Sequence, residues 1–294
     1  MDLGIRIDQP DLGRPGASRR LHFGPHEAPV VVVLNGVGNN FEGGSDAPEL
    51  SLKWLPRGTA DYRTEGRAYR LSEKNQLLLN RGQSYRLNMR GEAETFALFF
   101  PKSATDAAWQ TQTGRAEALP EIPTAAAPSP NVLQKRLAEL RAESRNLAPD
   151  AGRLHELCCT ILMEIVALAQ LRRGQAAQIP AARRSTREEL LRRLLRAETY
   201  LVEAGAGATL DGAANAAALS PFHLIRLFGA AFGETPLAYG AHLRLERARD
   251  ELIATNKAIA DIAEMAGYQS RTAFDRAFFR RFHTTPGAVR TVSI

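Results

Sequence analysis

At 294 residues, 44% hydrophobic and 24% charged, the chain has the composition of a folded protein with room for two modest domains, not of a disordered or fibrous one. No run approaches the ~18 apolar residues of a membrane span, and the start, Met1-Asp2-Leu3-Gly4-Ile5-Arg6, has neither the basic nor the apolar region of a secretory leader, so a cytoplasmic protein without a membrane partner is expected. The formal net charge of +6 is too small to announce nucleic acid, and the only two cysteines, Cys158 and Cys159, are adjacent, which excludes a disulfide framework and disfavours a thiolate metal site.

Residues 1–105 read as β. Residues 29–34 are β-branched and apolar, and 50–55, 68–71, 75–79, 84–89 and 95–100 follow with Gly, Pro, Asn and Asp between them. Short strands at regular spacing predict a barrel or jelly roll. Its only histidines, His22 and His26, precede the first clear strand, and no Gly-x-Ser-x-Gly, phosphate loop or His-Glu-x-x-His occurs, so neither a metal nor a catalytic residue nor a cofactor is expected. A pocket for a small effector is the better reading, with Trp54, Tyr62, Arg63, Tyr69 and Arg81 as candidate lining, although aromatic residues on strands also serve as core.

Residues 104–130, rich in Thr, Ala and Pro without a sustained period, read as a connector. Residues 131–145 and 152–173 are predicted helical, and in the second Leu154, Leu157, Cys158, Ile161, Ile165 and Leu168 form an apolar stripe. That stripe covers the barrel or pairs with its counterpart in a second chain. Residues 175–184 form a second linker, after which Ser185 with Glu188, or Thr186 with Glu189, predicts a capping box.

From residue 209 to 290 the chain says nearly the same thing twice. Leu210, Ala214, Ala218 and Leu219 are answered, at constant spacing, by Ile259, Ala263, Gly267 and Tyr268. After one extra residue in the second copy, Leu224, Arg226, Phe228, Phe232, Gly233 and Pro236 are answered by Phe274, Arg276, Phe278, Phe282, His283 and Pro286. Each copy reads as a short helix, a turn, a polar cap and a second amphipathic helix, the layout of a helix-turn-helix. Leu224, Leu227, Phe228 and Ala231 make one core stripe, leaving Phe222, Ile225 and Arg226 outward; Phe274, Ala277, Phe278 and Phe282 make the other, leaving Arg271, Thr272 and Arg276 outward. Apolar side chains can meet thymine methyls and a guanidinium can fork onto guanine. Arg280 and Arg281 follow one turn on, suited to phosphates, and Ser220, His223 and Ser270 at the helix starts are further phosphate candidates. Residues 236–256 read as one rod between the copies, with Leu237, His242, Leu245, Ala248, Leu252 and Ile253 as candidates for its buried side. Such a rod, about 31 Å long, can hold two reading helices one DNA turn apart.

Over residues 187–290 the chain resembles the AraC/XylS family of bacterial transcription regulators. The resemblance rests on Ile259-Ala-Asp-Ile-Ala-Glu-Met-Ala-Gly267-Tyr268, Phe274-Asp-Arg276-Ala-Phe278 and Phe282 to Pro286 with Arg290, and on Ser220-Pro-Phe-His-Leu-Ile-Arg226-Leu-Phe228 and Phe232-Gly-Glu-Thr-Pro236. It implies base contacts by Phe222, Ile225, Arg226, Arg271, Thr272 and Arg276, and a dimer formed through the 154–168 stripe. It also implies a cupin-like sensor at the N-terminus, for which Tyr69-Arg70-Leu71, residues 75–80 and Arg81-Gly82 are a weaker match. Four features depart from the pattern, one of them His283 in place of the usual C-cap glycine, tolerable because histidine is among the residues enriched at positive φ. Ala213 stands for a usual leucine, Ala218 for a usual turn glycine, and Gly212 lies mid-helix at a cost of about 1 kcal/mol relative to alanine.

The expected architecture is therefore α+β and multidomain: a cupin-like β-barrel sensing an effector (1–105), a linker and helical dimerisation segment (106–184), and an all-α DNA-binding domain with two helix-turn-helix motifs (185–294). The expected partners are double-stranded DNA, a small-molecule effector, a second copy of the chain and RNA polymerase. The rivals are a cupin-type enzyme fused to a DNA-binding module, and a protein-binding regulator with weakened DNA contact.

Overall fold

The structure, a computed structural model, describes residues 4–12, 19–20, 30–46, 49–124, 126–128 and 131–291. They fall into two compact units, Met1–Gly174 and Gln175–Ile294. The strands are β1 (Gly4–Asp8), β2 (Asp11–Leu12), β3 (Arg19–Arg20), β4 (Val30–Asn39), β5 (Glu42–Ser45), β6 (Leu50–Arg57), β7 (Ala60–Thr64), β8 (Arg67–Leu71), β9 (Asn75–Leu79), β10 (Tyr85–Met89), β11 (Glu92–Phe100) and β12 (Ala126–Pro128). The helices that accompany them are α1 (Lys102–Thr113), α2 (Asn131–Ser144) and α3 (Ala151–Gln178).

The strands pair into two sheets, one in the order β1-β4-β11-β6-β9-β12 with β2 also on β4, the other β3-β5-β10-β7-β8. Neither is closed among the described residues, so the expected barrel becomes two open sheets. The chain passes from one to the other at β8 and β9, whose corner Asn75 holds by accepting from Ser72 N (2.8 Å) and donating to Arg70 O (3.0 Å). The larger sheet is buried on both faces. Val32, Leu34, Leu77, Leu79, Ala97 and Phe99 share an interior with Tyr62, Leu71, Tyr85, Leu87 and Met89 of the smaller sheet. Their strand neighbours Val31, Val33, Leu52, Trp54, Leu78, Phe96 and Leu98 pack with residues of α1, α2 and α3. Burial on two faces is why these strands read as unbroken apolar runs without alternation.

Two expectations for this unit are corrected. The connector contains α1, whose Ala104, Ala108 and Trp109 are buried and whose end is Gly114 at φ 67; three buried apolar positions in twelve residues are too few for a visible period. The stripe of α3 is covered within its own chain: Leu154, Leu157, Cys158, Ile161 and Ile165 are buried in the core that includes the larger sheet, and Leu168 is half-buried. It is therefore not a free dimer seam. Burial raises the Cys158 thiol to about 12. Among the described residues α3 alone is long and apolar enough to cross a membrane by length and composition, and this packing accounts for its apolar character. A buried clamp ties α2 to the sheet: Glu94 accepts from Arg141 Nε (2.5 Å) and Nη2 (2.7 Å) beside the irregularity in the β11–β6 pairing. His22, His26 and Pro29 lie outside the described residues.

The second unit contains α4 (Arg184–Ala204), α5 (Leu210–Ala217), α6 (Pro221–Phe232), α7 (Pro236–Ala254), α8 (Ile259–Met265), α9 (Arg271–Phe282) and α10 (Pro286–Thr291). The expected capping box is not formed: α4 starts at Arg184, before Ser185 and Thr186, and its N-cap Arg183 makes no side-chain cap bond. In α7 the buried positions are Pro236, Gly240, Leu245, Ala248 and Leu252, whereas Leu237 and Ile253 are exposed and His242 is half-buried against Glu234. Leu237 and Ile253 each lie one residue, about 100° of helix rotation, from a buried position. Counting apolar residues without fixing the face misassigned them.

Candidate nucleic-acid interface

Both helix pairs are built by the same local chemistry. In the first, Thr209 caps α5 by accepting from Gly212 N (3.1 Å), and Ser220 caps α6 by accepting from His223 N (3.4 Å), with Pro221 at the first helical position. In the second, Ser270 caps α9 by accepting from Ala273 N (3.2 Å). Each turn closes through a left-handed residue, Ala218 at φ 53 and Gly267 at φ 83, followed by a backbone bond from Leu219 N to Ala214 O (3.0 Å) or Tyr268 N to Ala263 O (2.9 Å). The C-caps Gly233 and His283 are left-handed as well, at φ 79 and φ 55.

Two arginines that sequence reasoning passed over staple these turns. Arg196 on α4 donates to Ala216 O (3.0 Å) and Ala217 O (3.3 Å) at the end of α5. Arg244 on α7 donates to Ala266 O (3.1 Å) at the end of α8 and to Gly205 O (3.0 Å). Their signal lies in their position on the two long helices that carry the pairs, not in either repeat. Carbonyls left over at helix ends need such donors.

The two candidate reading helices keep their apolar stripes inward and their other faces bare. Leu224, Leu227, Phe228 and Ala231 are buried, while Phe222 is 79% exposed and Ile225, Arg226 and His223 are also exposed. Phe274 and Phe278 are buried and Ala277 and Phe282 half-buried, while Arg271, Thr272 and Arg276 are exposed. Arg226 is braced, its Nη2 lying 3.0 Å from His223 Nε2 on the same helix face, with the ring nitrogen accepting. Arg276 has no such brace among the described residues. Arg271 lies 3.6 Å from Asp275. Arg280 is exposed, but Arg281 is tied to Glu246 at 2.8 Å and so is less available to a phosphate than its neighbour. Sequence reasoning also missed Phe279, 54% exposed and three residues after Arg276, hence on the same face as Thr272 and Arg276. The core stripe read from helical spacing takes in Phe278 and leaves Phe279 unassigned.

The five candidate pocket residues of the first unit do not line one cavity. Tyr62 and Arg63 are neighbours on β7 and point to opposite faces. Tyr62 lies in the interior, its hydroxyl 3.1 Å from Thr95 Oγ1 and its phenol raised to about 12 by burial. Arg63 lines an open polar groove of about 580 Å³ with Glu42, Asp61, Arg86, Asn88 and Arg90. Trp54 faces the helices and donates to Glu73 O (3.2 Å); Tyr69 is half-buried, donating to Thr124 O (3.4 Å); Arg81 lies near Glu49 and Asp106 at 4.0 and 3.9 Å.

Comparison with known proteins agrees with this geometry. A family model described as a helix-turn-helix domain matches residues 213–291. The chain is 28% identical over 265 residues to the RCS-specific HTH-type transcriptional activator RclR of Escherichia coli K12, covering 86% of this chain and 89% of that one. It is 37% identical over 84 residues to the probable transcription factor PqrA of Proteus vulgaris, covering 29% of this chain and 69% of PqrA. Among solved structures, an AraC-type transcriptional regulator from Chromobacterium violaceum is 29% identical, with a TM-score of 0.33, over 34% of this chain and 91% of that one. An amino-terminal sheet-rich region with helices, followed by a helix-turn-helix domain, makes this chain a member of the AraC/XylS family of DNA-binding transcription regulators.

Proposed function

We propose that α6 and α9 are the reading helices of two helix-turn-helix motifs entering successive major grooves, and that a small molecule taken up by the sheet-rich unit controls that binding. Residues 185–294 are assigned to DNA binding, residues 1–105 to sensing through a cupin-like sheet pair, and residues 106–184 to joining them. The observation that carries the reading is the pair of capped helices with bare polar and aromatic faces, joined by the 19 residues of α7, about 28 Å long. Successive major grooves on one face of B-DNA repeat at about 34 Å, a distance such a rod and its two helices can bridge.

In this reading Phe222, Ile225, Arg226, Thr272, Arg276 and Phe279 meet base edges, Arg271 borders them, and Ser220, His223, Ser270 and Arg280 meet phosphates. The protein acts in the cytoplasm without a metal or catalytic step, together with RNA polymerase and a second copy of itself. The contact with that copy lies away from the covered stripe of α3.

Hydroxyl-radical footprinting on the DNA upstream of its own gene tests the reading. Two protected patches about one helical turn apart are expected. Protection of a single groove, unchanged when α6 is altered, would favour the rival in which the first motif has lost DNA. Sedimentation at micromolar concentration tests the dimer, and a purely monomeric wild type would remove it.

A further inference from the structure

The interior between the two sheets holds a lysine, a residue foreign to an apolar core. Lys53, on β6, is fully buried, and its Nζ has no hydrogen-bond partner among the described residues. It lies 3.6 Å from the centre of the Phe99 ring and 4.6 Å from that of Tyr85. Tyr85 in turn packs on Tyr62, ring centres 5.6 Å apart. Across the ladder Lys53 is paired with Ala97 on one side and Leu77 on the other. Two residues back on the same strand face, Ser51 is also fully buried with its Oγ unpartnered among the described residues.

Among the described residues an ammonium in this place would have two ring faces and no hydrogen-bonding partner to replace its water. Burial accordingly drives the Lys53 amine well below its usual range, and burial likewise raises both tyrosines, so the groups facing it stay neutral. The residue type matters as well. Only five of the 38 basic residues are lysines, and arginine, which the chain uses almost everywhere else, cannot give up its proton. A desolvated neutral amine is a nucleophile.

We propose that Lys53, with Ser51 beside it in the interior between the sheets, is a covalent docking point for a small aldehyde, which makes a carbonyl electrophile the class of effector this unit senses. The proposal rests on the effector-responsive reading of the sheet-rich unit. In the reaction the Nζ lone pair adds to the carbonyl carbon, and a proton passes from that nitrogen to the oxygen to give a carbinolamine. That intermediate loses water to leave a neutral imine, so one aldehyde and one amine become one imine and one water with no change of oxidation state. A neutral adduct suits the site.

The probe is formaldehyde with cyanoborohydride, applied to the folded full-length protein at neutral pH and followed by peptide mass mapping. An amine that has given up its proton is the reactive form, so Lys53 is expected to be methylated about tenfold faster or more than the exposed Lys74. Modification of Lys53 no faster than Lys74, or only once urea has unfolded the chain, overturns the proposal. DNA affinity of treated wild type is then compared with that of treated Lys53→Met. A change in the wild type alone sustains both the site and its sensory role. Selective methylation with unaltered DNA affinity sustains the site and sinks the effector reading. An effector that is not a carbonyl, altering DNA affinity of a protein whose Lys53 stays unmodified, sinks the site and leaves the effector reading standing.

Discussion

The two helix pairs of the second unit share a backbone but meet its demands with different side chains. Both need a left-handed residue at the turn. The second pair uses Gly267, where an added Cβ would lie 2.2 Å from Ala206 Cβ, so the turn is pressed against its neighbour as well as being left-handed. The first uses Ala218, which carries its Cβ at φ 53 and accepts the associated strain. Its α5 buries only Ala213, Ala214 and Ala217, and Gly212 beside them is not a defect: a Cβ there would lie 2.0 Å from Tyr200 Oη, the hydroxyl that also sits 3.4 Å from Thr209 Oγ1. The first pair is thus small-residue packing around a tyrosine, and the second aromatic packing around a glycine. The reading faces differ in the same spirit, with an exposed phenylalanine early in α6 and late in α9, and with a braced arginine in one and an unbraced one in the other.

Substitution can break this comparison at several levels. Gly267→Ala should be the most damaging, costing about 2–4 kcal/mol through the left-handed backbone and the clash with Ala206, read by urea unfolding; a cost no larger than for an exposed helix position would refute the close approach. Gly212→Ala should also destabilise, by about 1–3 kcal/mol, because the Tyr200 ring must move; a gain in stability would restore the view of Gly212 as a mere helix weakness. On cognate DNA, Arg226→Ala and Arg276→Ala should each cost about 1–3 kcal/mol and relax preference at one base pair. His223→Ala should weaken the first contact and leave the second alone, and equal effects on both would deny the brace. In the opposite direction, Ala218→Gly should stabilise by about 1 kcal/mol by relieving the positive φ, measurable as a rise in the urea midpoint. The smallest difference expected is between neighbours. Arg280→Ala should lower the salt slope of DNA binding by about one unit. Arg281→Ala should lower it less, since Glu246 already holds that guanidinium.

Of the binding face, much was legible in the chain alone. The repeat, its caps Ser220 and Ser270, the left-handed ends at Gly233 and His283 and the inward Phe228, Phe274 and Phe278 all follow from local hydrogen-bond need and helical period, which act over a few residues. The β character of residues 30–100 was legible for the same reason, since apolar runs between turn residues are a local signal. What the sequence did not yield depends on contacts between segments far apart along the chain. Arg196 and Arg244 matter only because α4 and α7 bring them to the ends of other helices. The stripe on α3 could have served a second chain until the larger sheet of its own unit was seen to cover it. Tyr62 and Arg63 looked like one pocket until the pleat turned them to opposite faces. Lys53 reads as an ordinary basic residue on a strand, and only the pairing of β6 between β9 and β11, with the second sheet packed over it, deprives its amine of water. Local periodicity determines which residues form an element and which side of it is apolar, whereas what lies against that side is decided by packing at a distance.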